Sequence, residues 1–150
     1  MQAFWVVGGI ASAVAACLLA ALQLRRRFTV VTIEGTSMEP TLSPGDQVVV
    51  KRRAIDRIRS GDIVVLLPPQ TQDRYESLDG SAWNIKRAAA VPGDPVPAGI
   101  PDADGLTEVP AGTLVVFGDN PDSIDSRHRG LFSADRILGV ATRRLGGPAL

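Results

Sequence analysis

Hydrophobic and polar positions divide the chain into two unlike parts. From Ala3 to Leu24 there are 22 consecutive residues without a charge. As a helix this run spans roughly 33 Å, enough to cross a hydrocarbon core of about 30 Å. Arg25-Arg26-Arg27 ends it. The pattern predicts a single membrane-crossing helix; a buried helix of a water-soluble core fits the run and its basic stop less well. Beyond it the period changes. Phe28 to Ile33, Gln47 to Lys51, Ile63 to Leu67, Thr113 to Phe117 and Ile137 to Thr142 are short runs rich in β-branched residues, which predicts strands. Trp83 to Val91 is a further apolar stretch, interrupted by Lys86-Arg87.

Turn signals separate these runs: Ser43-Pro44-Gly45-Asp46, Ser60-Gly61-Asp62, Pro92-Gly93-Asp94-Pro95 and Gly118-Asp119-Asn120-Pro121. Arg53 to Arg59 suits a short helical turn or a loop, residues 70–82 an exposed loop, and 95–110 is too rich in proline and glycine for long elements. No amphipathic helix follows the first segment. The expected fold is therefore mainly β, a meander of short antiparallel strands in coiled, partly barrel-like sheets with one N-terminal helix. The expected divisions are 1–27 for the anchor and its basic flank, 28–145 for a small β domain and 146–150 for a frayed tail.

Processing signals change this little. A secretory signal peptide carries a positive n-region and a short apolar core, and nothing positive precedes this run. Val14-Ala15-Ala16-Cys17 has the form of a lipoprotein cleavage box, but apolar sequence continues past Cys17. Charge sets an orientation expectation: Arg25 to Arg27 outweigh Met1 and Gln2, so the positive-inside rule places the β domain in the cytoplasm. The formal net charge is zero, which gives no nucleic-acid footprint. Locally, residues 25–60 hold eight basic and four acidic residues. These are a solvated face or, beside a membrane helix, a surface that meets anionic lipid. With one cysteine and one histidine, the chain offers neither an internal disulfide nor a metal-ligand cluster, and no cofactor is expected.

The chemistry-bearing candidates lie in three places. Ser37, in Gly35-Thr36-Ser37-Met38-Glu39-Pro40-Thr41-Leu42, follows a strand and precedes a proline turn. A serine hydroxyl is a weak nucleophile without a base beside it. His128 is flanked by Arg127 and Arg129, which disfavour the imidazolium that general-base catalysis forms. Lys51 and Lys86 are the two lysines. Lys51 lies in a basic cluster. Lys86 lies in an apolar strand, where period-two alternation puts Asn84, Lys86 and Ala88 on one face and turns Ile85 and Arg87 away. There it either snorkels to water or is buried, in which case desolvation favours a neutral amine that can accept a proton. The third place is Gly118 to Arg127. Its hydroxyls could orient such an amine, and Asp119 or Asp125 could pair with Arg87 or Arg127; the plainer alternative is a polar turn that caps its own backbone.

Four stretches occur in order: Gly35 to Leu42; Gly61-Asp62-Ile63-Val64-Val65; Ile85-Lys86-Arg87-Ala88 through Pro92-Gly93-Asp94; and Gly118-Asp119-Asn120 through Asp125-Ser126-Arg127. Together, over roughly residues 30–140, they resemble the boxes of type I signal peptidases, the serine–lysine membrane proteases. The resemblance implies a membrane-bound serine endopeptidase that cuts signal or leader peptides after small residues. Ser37 is then the nucleophile, Lys86 the general base, and Ser123 the hydroxyl that orients the lysine amine. The Ser37 backbone N–H, with the Gly35 region, forms the oxyanion hole; Gly35 stands where some relatives place a serine. Arg87, Asp119, Asp125 and Arg127 are structural ion-pair residues. The partners implied are a preprotein or leader peptide added as a β-strand and the lipid bilayer, with no nucleic acid, metal or cofactor. Only residues 87–117 separate Lys86 from Gly118, so a large cap domain is absent. Ala90 replaces a frequent glycine, and the last box is one residue shorter than the common pattern. The resemblance also implies a single-pass cell-membrane protein with its domain outside the cytoplasm, opposite to the charge rule. A specialised peptidase for one substrate and a non-catalytic peptide-binding module of the same fold are the other readings.

Overall fold

The computed structural model of the chain describes residues 2–67, 83–147 and 149–150, with side chains from Val14 onward. The expected loop over 70–82 lies outside the described residues. Helix α1 spans Gln2–Arg27 and passes directly into strand β1, Phe28–Thr32. Its side chains Val14, Leu18, Leu19, Leu22 and Leu24 are all more than half exposed. Among the described residues no helix is long and apolar enough to cross a membrane.

The β domain follows with β2 (Gln47–Lys51), β3 (Ile63–Leu66), β4 (Asn84–Ala90), β5 (Thr113–Phe117), the short helix α2 (Ser126–Arg129), β6 (Phe132–Ser133) and β7 (Ile137–Arg144). Three-residue helical turns cover Ile55–Arg57 and Ala134–Arg136. The strands form one antiparallel sheet in the order β1-β2-β7-β3-β4-β5-β6. The order is not a simple meander: β7 enters between β2 and β3, pairing antiparallel with both. Residues 52–62 therefore cross over instead of closing a hairpin, and local turn signals carry no information about that long-range insertion. The chain then turns back, with Ala149 bridging Arg143 and the Leu150 N–H reaching the Thr142 carbonyl at 3.3 Å.

One turn device recurs at three strand junctions. In each, an aspartate carboxylate accepts from the backbone N–H three residues earlier, at 3.0 Å: Asp46 from Ser43, Asp62 from Arg59 and Asp94 from Val91. The glycine before each aspartate has φ near +90° (90°, 94° and 87°), a conformation that costs glycine little.

Period-two alternation sends the strand side chains to two sides of the sheet. Val31, Ile33, Val48, Val50, Ile63, Val65, Ile85 and Ala141 form one core cluster, and Met38 and Leu42 join it from the loop after β1. Ile58, Val64, Leu66, Ala88, Leu114, Val116 and Val140 form the second. A third cluster, around Ile100, Ala103 and Val109, packs the proline-rich segment on Ala90 and Val115.

Candidate active site

The segment carrying Ser37 is irregular, yet it is pinned at several points. Met38 and Leu42 are fully buried, and burial of two such side chains contributes about 2 kcal/mol each. The Leu42 N–H donates to the Met38 carbonyl at 2.9 Å and the Glu39 N–H to the Thr36 carbonyl at 3.0 Å, closing the turn beneath the serine. The apolar residues flanking Ser37 thus enter the core while its hydroxyl stays half-buried. That hydroxyl donates to the Ile85 carbonyl at 3.2 Å. The contact joins positions 37 and 85 across the fold and sets Ser37 against the backbone just before Lys86.

Lys86 sits in β4 opposite Val64 of β3 and is only 6% exposed. Burial of this lysine is the condition that the alternation of β4 left open. Arg87, next along the strand, turns to the other side and pairs bidentately with Asp119, at 2.9 and 2.6 Å. The Arg87 guanidinium holds the Asp119 carboxyl below the usual carboxylate range, against the opposing push of burial, and the Thr41 hydroxyl adds a hydrogen bond at 2.5 Å. Asp119 therefore ties the serine loop, through Thr41, to the strand that carries Lys86.

The loop after β5 completes the arrangement. The Asn120 N–H donates to the Ser37 carbonyl at 3.1 Å, and its side-chain amide to the Thr36 carbonyl at 3.1 Å. Gly118 passes so close that a Cβ there would collide with the Ser123 side chain and come within 2.5 Å of the Ser37 carbonyl oxygen. Ser123 is buried, and its hydroxyl oxygen has no hydrogen-bond partner among the described residues. Ser37, Gly118 and Ser123 therefore form one contact set, and the Ser37 hydroxyl joins it to β4 at Ile85, next to Lys86.

Asp125 and Ser126 are fully buried below the loop. Burial alone pushes the Asp125 carboxyl up. Hydrogen bonds from the Arg127 guanidinium and from the Gly118 and Arg127 N–H groups outweigh it, holding the carboxyl below its ordinary range. Arg127 pairs with it bidentately, at 2.9 and 2.6 Å, and lies 5.3 Å over the Phe117 ring. The Ser126 hydroxyl accepts from the Val116 N–H at 2.9 Å. His128 lies at the surface with its side chain 54% exposed, its Nδ1 4.0 Å from Asp125. Among the described residues no group of three His, Cys, Asp or Glu side chains could hold a metal ion.

Sequence reasoning assigned no role to Thr41, Asn120, Met38 or Leu42. Asn120 had a usable signal, an Asn-Pro turn within a named box, but its bonds to residues 36 and 37 span more than eighty positions.

The model of the family described as "Signal peptidase, peptidase S26" matches residues 6–99 and 97–145. The chain belongs to that family. It is similar to signal peptidase I of Bacillus caldolyticus, at 28% identity over 84% of this chain and 83% of that protein. It is likewise similar to signal peptidase I T of Bacillus subtilis, at 28% over 85% and 79%. Mouse mitochondrial inner membrane protease subunit 2 is 32% identical over 83% of this chain and 71% of that protein. In this S26 peptidase the two matched segments include Ser37, Lys86, Gly118 and Ser123.

Proposed function

We propose that the protein is a membrane-anchored serine endopeptidase that cleaves signal or leader peptides with Ser37 as nucleophile and Lys86 as general base. The observation that carries this reading is the Ser37 hydroxyl resting on the carbonyl of residue 85, beside a lysine withdrawn from water. Burial penalises the charged form of an amine, which is what a general base near neutral pH requires. Lys86 takes the Ser37 proton as Oγ attacks the scissile carbonyl. The resulting oxyanion accepts from the Ser37 backbone N–H, with the Gly35 region beside it. The Lys86 ammonium then protonates the leaving amine, and the acyl-enzyme ester is hydrolysed by a water that the same amine deprotonates. The Ser123 hydroxyl orients the amine, a use that suits a buried oxygen otherwise without a partner among the described residues.

The strand register supports the mode of substrate binding. β5 pairs with β4 only from Arg87 onward, so Asn84, Ile85 and Lys86 have no strand neighbour on that side among the described strands. An extended peptide added there would present its backbone to Ser37. Its small residues would occupy the first and third positions before the cut.

The anchor in this reading is the uncharged run from Ala3 to Leu24, which rests on the sequence and the family likeness, since no helix among the described residues is by itself long and apolar enough to span. The domain lies outside the cytoplasm, as in the signal peptidase reading, against the preference of Arg25 to Arg27. Incubating the full chain with a model preprotein and mapping the cut by mass spectrometry tests the activity. Cleavage after a small residue is expected, abolished by Ser37→Ala and by Lys86→Ala. Wild-type activity in either variant removes the dyad. Protease accessibility in intact cells tests the orientation.

A further inference from the structure

The β1–β2 hairpin is strongly polarised in charge. Pairing of Phe28 with Lys51 brings the end of β2 beside the start of β1. The Arg52 N–H donates to the Arg27 carbonyl at 2.9 Å, and the Lys51 ammonium lies 5.9 Å over the Phe28 ring. Arg25, Arg26 and Arg27 thereby meet Lys51, Arg52 and Arg53, twenty-odd positions later in the chain. Neither residues 25–33 nor residues 47–55 contain an aspartate or glutamate. The hairpin's first acids, Glu34 and Asp46, lie at its opposite end, where the Ile33 N–H donates to the Asp46 carbonyl at 2.8 Å. Strands of five residues separate the two ends by about 17 Å, roughly two Debye lengths at physiological salt. Those two acids therefore do little to neutralise the bases, and the nearer Asp56, three residues past Arg53, is itself followed by Arg57 and Arg59. Arg25, Arg26, Arg27 and Arg52 are exposed, and Lys51 and Arg53 partly so. The exposed Leu18, Leu19, Leu22 and Leu24 lie immediately before them on α1.

We propose that these six residues form a basic collar that binds the phosphates of anionic lipid headgroups and seats this end of the sheet on the bilayer. The proposal rests on the membrane-anchored reading and adds a ligand class to it. Two features single out lipid as the occupant: the complementary charge, and continuity with the apolar side chains of α1. A lone cluster on one segment is the usual solvated face. Here two segments converge at the point where the apolar helix enters the sheet. Basic residues near an anionic surface gain attraction that fades within a Debye length. The collar also gives Arg25 to Arg27 a task on whichever leaflet the domain faces, which eases the conflict between their charge and an outward orientation.

The test uses the full chain in phosphatidylcholine vesicles and in vesicles with about a quarter phosphatidylglycerol. Amide hydrogen exchange is read on peptides covering residues 47–59. Exchange in the anionic vesicles should slow about fivefold, the change expected from roughly one adsorbed basic residue. Lys51→Gln with Arg52→Gln and Arg53→Gln should remove the difference, as should about 0.5 M NaCl. Equal exchange of the wild-type chain in the two vesicle types overturns the collar. Equal slowing by inorganic phosphate in phosphatidylcholine vesicles overturns lipid as its ligand. Flotation with phosphatidylcholine vesicles alone reports separately on the anchor: a chain that fails to float there refutes the membrane reading, whatever the collar does.

Discussion

Lys51 and Lys86 make an informative pair. Both occupy strands beside valines or isoleucine, in Gln47–Lys51 and Asn84–Ala90, and both are followed by arginine. Lys51 ends its strand at the helix junction, partly exposed among other cations and resting over Phe28. Lys86 lies mid-strand, opposite Val64 of β3, and is 6% exposed. Residue type is the same and both strands are interior to the sheet; position along the strand separates them. A strand end beside solvent lets an ammonium keep its water, whereas a buried mid-strand position strips it. What looks like one chemical group therefore meets two environments, hydrated in one region and withdrawn from water in the other, and the proposed roles of the two lysines follow that difference.

The sharpest way to break this comparison is to place a permanent charge at position 86, one that cannot accept a proton. Lys86→Arg should lower cleavage of a signal-peptide substrate by at least about 10³-fold, because guanidinium stays protonated. Circular dichroism should show the β domain still folded. Near-normal turnover would mean that Lys86 is only a buried structural cation. A smaller loss is expected from Gly118→Ala. Its methyl group would meet the Ser123 side chain and the Ser37 carbonyl, shifting both from their positions. Turnover should fall roughly 10- to 100-fold, with stability reduced by about 1–3 kcal/mol; steady-state kinetics and urea melts would read these. A fully active, fully stable variant would show that the close approach is irrelevant to the site.

Ser123→Ala separates positioning from packing. The hydroxyl has no hydrogen-bond partner among the described residues, so stability should change by less than about 0.5 kcal/mol. The kcat should nevertheless drop about tenfold with KM nearly constant, and the pH–rate profile should move with the lysine. An unchanged profile would assign the orienting role elsewhere.

The smallest effect concerns acid. Asp119 and Asp125 both titrate below their ordinary value of 3.8 when folded. Their ion pairs therefore contribute stability that is present above that value and lost as pH falls through the lowered folded values. The stability gap between wild type and Asp119→Asn should be widest near neutrality, about 1 kcal/mol for a partly exposed pair. It should shrink below pH 3.8; a gap that stays constant in acid would deny the pairing its role.

Much of the fold was legible locally. β-branched runs marked β2 and β5 to the residue and β3 and β7 to within a few positions, because period-two burial acts within a handful of neighbours. The Gly-Asp turns were legible for the same reason. The insertion of β7 between β2 and β3 was not, since it is chosen by the packing of two core faces. The candidate residues Ser37, Lys86 and Ser123 could be named because each stands in a distinctive short box. Their supports, Met38 and Leu42 in the core, Thr41 on Asp119, and Asn120 on residues 36 and 37, had no local mark.

By itself the sequence determined the element types, the uncharged N-terminal run, the Gly-Asp turns and a short list of chemically capable side chains, all properties of neighbouring residues. Tertiary structure decided which lysine is buried, which aspartate holds which arginine, and that Ser37 rests against the strand of Lys86. It also decided that two basic segments meet at the helix junction. Burial and charge at a point depend on everything that folds around it, and strand order alone settles what that is.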